Sequence, residues 1–229
     1  MAKKRSSSEP IAGRFDRKKT ERPYGMRPLR RYYLIVCEGK ETEPLYFEGL
    51  KKDLPPGVLE TVKIEVKGTG NKKTMALVEE AKKLRIRREE SSGLPIGSLW
   101  VVFDRDDFLA ANFNESIETC KREGIGCAWS NEAFEVWYLL HFQYFESAIG
   151  RTQYLNMLTE RLQKHLDPNF RYQKNDPKFY GLLQTHGDEN QAIQNAQRLF
   201  DLYEERRDFA DHNPCTTVHL LVKELRSLT

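Results

Sequence analysis

Glu38, Asp104 and Asp106 are the residues of this 229-residue chain whose types and placement point most directly to chemistry. Glu38 follows the apolar run Tyr32-Tyr33-Leu34-Ile35-Val36-Cys37, and Asp104-Arg105-Asp106-Asp107 follows Leu99-Trp100-Val101-Val102-Phe103. Both runs read as buried strands. In an open parallel sheet, ligands collect beyond the carboxyl ends of the strands, because the loops there vary over a rigid base. Carboxylates gathered at such an edge repel one another unless a cation sits among them. A hard divalent ion, Mg²⁺ or Mn²⁺, is the natural neutraliser. Held by one or two carboxylates, it keeps positions for water and substrate phosphate, which suits phosphodiester chemistry. Asp107 adds a fourth candidate ligand. Acidic clusters after strands also serve as helix caps and solvated turns, so the Asp-x-Asp pattern draws its weight from Glu38.

Other residues join these candidates. Glu135 opens an apolar helical run, Ala133 to Phe142, and a buried carboxylate there needs a partner, which assigns it metal or neighbouring duty. His141 in the same run reads as a core histidine. Lys174, in Tyr172-Gln173-Lys174-Asn175-Asp176, is a candidate to neutralise charge on a phosphate, a solvated loop lysine being the plainer alternative. Lys40, Lys72, Lys73 and Arg105 are candidate nucleic-acid contacts. Gly68-Thr69-Gly70-Asn71-Lys72-Lys73-Thr74 lacks the P-loop spacing, so ATP hydrolysis by this chain is not expected, although its glycines and helix N-terminus suit a substrate phosphate.

The elements that must position these residues alternate. Strand, turn and helix recur through residues 31–150: a helix from Thr42, a strand at 62–66, a helix through 72–90, a strand at 99–103, a helix at 114–123 and an extended segment at 124–129. This alternation predicts an α/β fold, a parallel-rich sheet with helices on both faces. Residues 151–229 read as an α-helical portion packed on that core, with helices at 151–166, 177–186, 189–209 and 215–227. Residues 1–30 read as a basic, flexible arm: residues 1–31 hold eleven Lys/Arg against three acids, a balance of +8 in a chain of net +3. That arm suits a polyanion such as nucleic acid.

Hydrophobic residues make up 39% and charged residues 31%, with a mean hydropathy of −0.69. No apolar run approaches the roughly 18 residues of a membrane helix. The start has no apolar secretory segment, so a cytoplasmic location and no membrane partner are expected. Cys37, Cys120, Cys127 and Cys215 form no C-x-x-C pair, which argues against a disulfide framework and a structural zinc.

A Glu-Gly after the first strand with Asp-x-Asp after a later one resembles the Toprim arrangement of topoisomerases, primases and old-lysogen-type nucleases. More narrowly, Glu38-Gly39-Lys40-Glu41-Thr42-Glu43-Pro44-x-Tyr46-Phe47, Phe103-Asp104-Arg105-Asp106-Asp107, Ser130-Asn131 with Phe134-Glu135-x-Trp137-x-Leu139-Leu140-His141-Phe142, and Asn213-Pro214-x-Thr216 resemble the RloB-like family. That family is associated with antiphage defence and is often encoded beside an ATPase. One departure is Asn131-Glu132, where the family pattern leads one to expect Asn-Pro; the turn is then shaped differently, or Glu132 adds a carboxylate.

The resemblance implies a Toprim-like fold in which Asp104 and Asp106 hold Mg²⁺ while Glu38 is a ligand or general acid/base. Topoisomerase chemistry needs a tyrosine nucleophile on a strand-passage domain, and primase chemistry a larger nucleotide-handling body. A hydrolytic nuclease acting on RNA, tRNA included, or DNA is what remains. The alternative is a non-catalytic nucleic-acid- or nucleotide-binding subunit of a defence complex. The apolar faces after residue 151 exceed what the sheet needs, which suggests docking of a partner or a second copy of the chain; the resemblance names a separately encoded ATPase.

Overall fold

The computed structural model describes residues 31–70, 72, 74–105, 109–203 and 206–228. Arg31–Cys37 (β1), Val62–Gly68 (β2), Ser98–Asp104 (β3), Gly126–Asn131 (β4) and Cys215–Thr216 (β5) form one sheet in the order β2-β1-β3-β4-β5. β1 pairs in parallel with β2 and β3, β3 pairs in parallel with β4, and β5 runs antiparallel to β4. The α/β sheet expected from the alternation is therefore present. Helices are Thr42–Lys52 (α1), Val58–Thr61 (α2), Thr74–Ser92 (α3), Ala110–Glu123 (α4), Glu135–Leu140 (α5), Arg151–Gln163 (α6), Phe179–His186 (α7), Glu189–Asp201 (α8) and Val218–Arg226 (α9).

Period-two geometry sends alternate side chains of β1 to opposite faces, and both faces are covered. Tyr33, Ile35 and Cys37 enter one core with Trp100, Val102 and the apolar sides of α1 and α5–α9. Tyr32, Leu34 and Val36 enter a second core with Val101, Phe103, α3 and α4. β2 lies at the edge and alternates instead, burying Val62 and Ile64. Its half-buried Glu65 accepts from Tyr32 at 2.6 Å and pairs with Arg88 of α3 at 2.7 Å.

The topology opens a crevice between β1 and β3. The chain leaves β1 through α1 on one face and continues to β2 on one side. It leaves β3 through α4 on the other face and continues to β4 on the opposite side. The two loops diverge, so the carboxyl ends of β1 and β3 form a topological switch point, where open α/β sheets bind ligands.

The chain beyond residue 150 departs from the all-helical expectation at two places. Cys215 and Thr216 are a strand and not the start of a helix, because β4 offers an edge that they satisfy: Ser130 and Thr216 pair, and their hydroxyls lie 2.9 Å apart. The Thr217 hydroxyl then accepts from the Trp129 amide at 2.9 Å, and α9 starts only at Val218. α8 also ends at Asp201, short of the expected 209; Leu202, the next residue, is 52% exposed. The arm, residues 1–30, lies outside the described residues. No helix among the described residues is long and apolar enough to cross a membrane.

Candidate functional site

Glu38 and Asp104 meet at the switch point. The Glu38 amide donates to the Val102 carbonyl at 2.9 Å, which extends the β1–β3 ladder by one step. From there the Glu38 carboxylate accepts a long contact, 3.4 Å, from the Asp104 amide. Both side chains are buried. Thr69, in the loop after β2, holds this turn from beneath: its amide and hydroxyl donate to the Cys37 carbonyl at 3.0 and 3.1 Å, and its hydroxyl also reaches the Glu38 carbonyl at 3.2 Å.

Two more carboxylates face the same region. Glu135, the first residue of α5, is fully buried. Its Oε1 accepts from the Tyr172 hydroxyl at 3.3 Å and pairs with Lys174 Nζ at 3.3 Å. Its Oε2 is buried with no hydrogen-bond partner among the described residues. Glu43, in the first turn of α1, is also buried. A Cβ on Gly39 would lie 2.4 Å from Glu43 Oε2, so only glycine lets that carboxylate fold onto the loop beside Glu38. Burial raises the Glu43 pKa, and the charge of Glu135 adds to the rise, against opposing backbone amides and Lys174. Burial likewise raises the Tyr172 hydroxyl, with the charges of Glu135, Glu43 and Asp104 all bearing on it.

Cations reach these acids from the helical portion. Arg151, first residue of α6, places Nη2 3.6 Å from Asp104 Oδ2. The loop carrying Tyr172 and Lys174 is tied to α1 by the Thr42 hydroxyl, which donates to the Lys174 carbonyl at 3.2 Å. Beside it opens a polar cavity of about 330 Å³ lined by Gly39, Lys40, Thr42, Glu43, Gly70 and Asn175 among others. Lys40 lies across Gly70, whose φ of +72° and missing Cβ leave room for the lysine stem.

Lys40, Glu38, Asp104, Glu135 and Lys174 are thus neighbours of one crevice. Lys72 instead pairs with Glu80 at 2.9 Å on the surface. The Arg105 amide donates to the Ser130 carbonyl at 2.8 Å, and its guanidinium lies 5.9 Å from the Phe113 ring, on the α4 side. Asp106, Asp107 and Lys73 lie outside the described residues. Among the described residues no three acidic, His or Cys side chains form a group able to hold a metal ion as they stand. Glu132 is half-buried beside Tyr154, whose hydroxyl pKa its charge helps to raise after the larger effect of burial. His141 is core: its Nδ1 lies 2.9 Å from the Trp137 carbonyl, and burial pushes its pKa down to about 4.

Nothing in residue order singles out Glu43, Tyr172 or Arg151. An acid in the first turn of a helix is ordinary dipole grammar, which hid Glu43. Arg151 carried the opposite signal, a cation at the positive end of a helix.

The class that fold and crevice define is an α/β protein with acids at the carboxyl ends of adjacent parallel strands, met by cations from the chain beyond residue 150. Over residues 33–225 the chain matches the model of the RloB-like protein family, and it belongs to that family. No curated protein and no solved structure matches it.

Proposed function

We propose that this chain is a divalent-metal-dependent nuclease that hydrolyses phosphodiester bonds in RNA, tRNA included, or in DNA, as the effector of an antiphage defence system. The observation that carries the reading is the contact of Glu38 with Asp104 at the switch point. The donor set fits Mg²⁺ or Mn²⁺: the side-chain ligands are hard carboxylate oxygens, and the buried, unpartnered Oε2 of Glu135 is an acceptor that a cation or ordered donor would satisfy. With Glu38 beside it as general acid/base, Asp104 would join Asp106 and Asp107, the acids that follow it in the sequence, in holding the ion. When bound, it would polarise a phosphoryl oxygen and lower the pKa of the attacking water.

The chain's own residues supply the rest. The Glu38 carboxylate accepts the proton of the attacking water, its backbone held in place by Thr69. Lys174 lies close enough to the acids to offset charge on the phosphate. Lys40, beside the polar cavity, tracks the flanking backbone. A cytoplasmic nuclease needs restraint, and the family resemblance supplies a separately encoded ATPase as the controlling partner, with a second copy of the chain as the other docking candidate.

A second reading has a specific observation behind it. Asp104 and Glu135 already carry ion pairs to Arg151 and Lys174, which is how an acidic site kept as a sensor or scaffold in a non-catalytic nucleic-acid-binding subunit would rest. Assaying the purified chain and its Glu38→Gln variant on tRNA and DNA in Mg²⁺ or Mn²⁺, with and without the neighbouring ATPase, separates the two. Metal-dependent cleavage lost in the variant supports the nuclease. A defence phenotype unchanged by Glu38→Gln supports the binding subunit.

A further inference from the structure

We infer that Arg151 is a substrate-binding residue: its guanidinium rests on Asp104 in the substrate-free chain and moves to a phosphate oxygen of the nucleic acid when Asp104 engages a divalent ion. This deepens the nuclease reading and rests on its metal site. Arg151 is the first residue of α6, and the first turn of that helix contains no acid. Helix N-termini favour negative charge, so the helix itself gains nothing from a cation there. In the resting chain it lies 3.6 Å from Asp104 while its side chain stays 39% exposed.

What the placement does suit is an anion arriving from solvent. A guanidinium offers planar, paired donors that match phosphate oxygens, and Arg151 keeps enough exposure to meet one. Its partner is the reverse, an Asp104 side chain only 10% exposed at the sheet edge. Lys174 repeats the pattern on Glu135, 37% against 1% exposed. In both pairs the acid belongs to the α/β core and the half-exposed cation to the chain beyond residue 150. One guanidinium cannot serve Asp104 and a phosphate at full strength together. Two exchanges are therefore linked: Asp104 trades Arg151 for the ion, and Arg151 trades Asp104 for the phosphate.

The test titrates wild type, Arg151→Ala and Arg151→Lys with phosphorothioate-substituted single-stranded RNA and duplex DNA that resist cleavage, in Mn²⁺ and in EDTA. Mn²⁺ is also titrated without nucleic acid, and melting temperatures are recorded. In Mn²⁺, Arg151→Ala should lose about tenfold in affinity for whichever oligonucleotide binds, and Arg151→Lys should recover part of it. In EDTA the loss should vanish, because Arg151 then stays on Asp104. Without nucleic acid, Arg151→Ala should bind Mn²⁺ more tightly, a competing cation having gone. Equal affinities in Mn²⁺, a loss of the same size in EDTA, no oligonucleotide bound by wild type, or weaker Mn²⁺ binding with a lowered melting temperature in both variants would each overturn the inference. If wild type cleaves no unmodified substrate while the Mn²⁺-specific difference persists, the nuclease reading fails and the role of Arg151 stands. If wild type cleaves and Arg151→Ala matches it throughout, only the inference fails.

Discussion

The two faces of the sheet are built from similar strands but carry different contents. Under α3 and α4, Leu77, Val78, Ala81, Phe113 and Ile117 pack on Leu34, Val36, Val101 and Phe103. A buried polar group there, Ser116, satisfies itself within its own helix by donating to the Asn112 carbonyl at 2.8 Å. Under α1 and α5–α9 the aliphatic packing is just as continuous, yet Glu43, Glu135, Tyr138, Tyr172 and His141 are buried among it. Burying carboxylates costs free energy unless partners compensate. The difference teaches where to look for function: one face is spent on packing, and the other accepts a desolvation cost that packing alone does not explain.

The strongest way to break this comparison is to mutate each face and read both activity and stability. Glu38→Gln or Asp104→Asn should reduce cleavage by about 10²–10⁴-fold with little change in melting temperature. Persistence of cleavage in EDTA would remove the metal from the account. Phe113→Ala, on the quiet face, should do the reverse. It leaves cleavage per folded molecule unchanged and costs about 3–5 kcal/mol in urea unfolding, since the ring is fully buried against Phe103 and Trp129.

Acid should weigh more heavily on the polar face next. His141 and His219 are buried and pushed down from 6.5 to about 4, chiefly by desolvation. The unfolded chain then binds protons that the folded chain refuses, so stability falls as pH drops from 6.5 towards 4. Each histidine contributes on the order of 3 kcal/mol to that loss, visible as a falling urea midpoint. His141→Gln should flatten the part that belongs to His141.

Gly39→Ala sharpens the comparison at the loop itself. The new methyl would lie 2.4 Å from Glu43 Oε2, so the carboxylate must move, at about 1–3 kcal/mol, with a loss of cleavage larger than the loss of stability suggests. The smallest effect is expected from Glu43→Gln. Burial raises the Glu43 pKa, so the folded chain holds a proton more tightly than the unfolded one, and stability declines as pH rises above 4.5 through the folded value. Glu43→Gln should remove that decline and be slightly more stable at neutral pH in thermal melts.

Much of this arrangement was legible in residue order. The apolar runs ending at Cys37 and Phe103 announce strands, because buried parallel strands need side chains that are apolar on both faces. The acids that follow them must emerge at the sheet edge. Glu135 was legible as well, since a carboxylate inside an apolar helix is out of place. The end of α8 and the strand at Cys215–Thr216 were not legible, for local pattern says nothing of which edge is left unpaired. The Cys-Thr pair after Asn213-Pro214 becomes a strand only because β4 lacks a neighbour there.

Glu43, Tyr172 and Arg151 show the limit most clearly. Each is ordinary in its own segment: an acid in a first turn, a loop tyrosine, a half-exposed arginine. Chain order settles that a strand ends in an acid, because that depends on neighbours one or two residues away. It does not settle that residue 151 reaches residue 104, or that residues 172 and 174 reach residue 135. Those meetings depend on how α6 and the loop before α7 fold back over the crevice, a packing of distant apolar faces such as Leu158, Leu162 and Leu183 that no local spacing encodes.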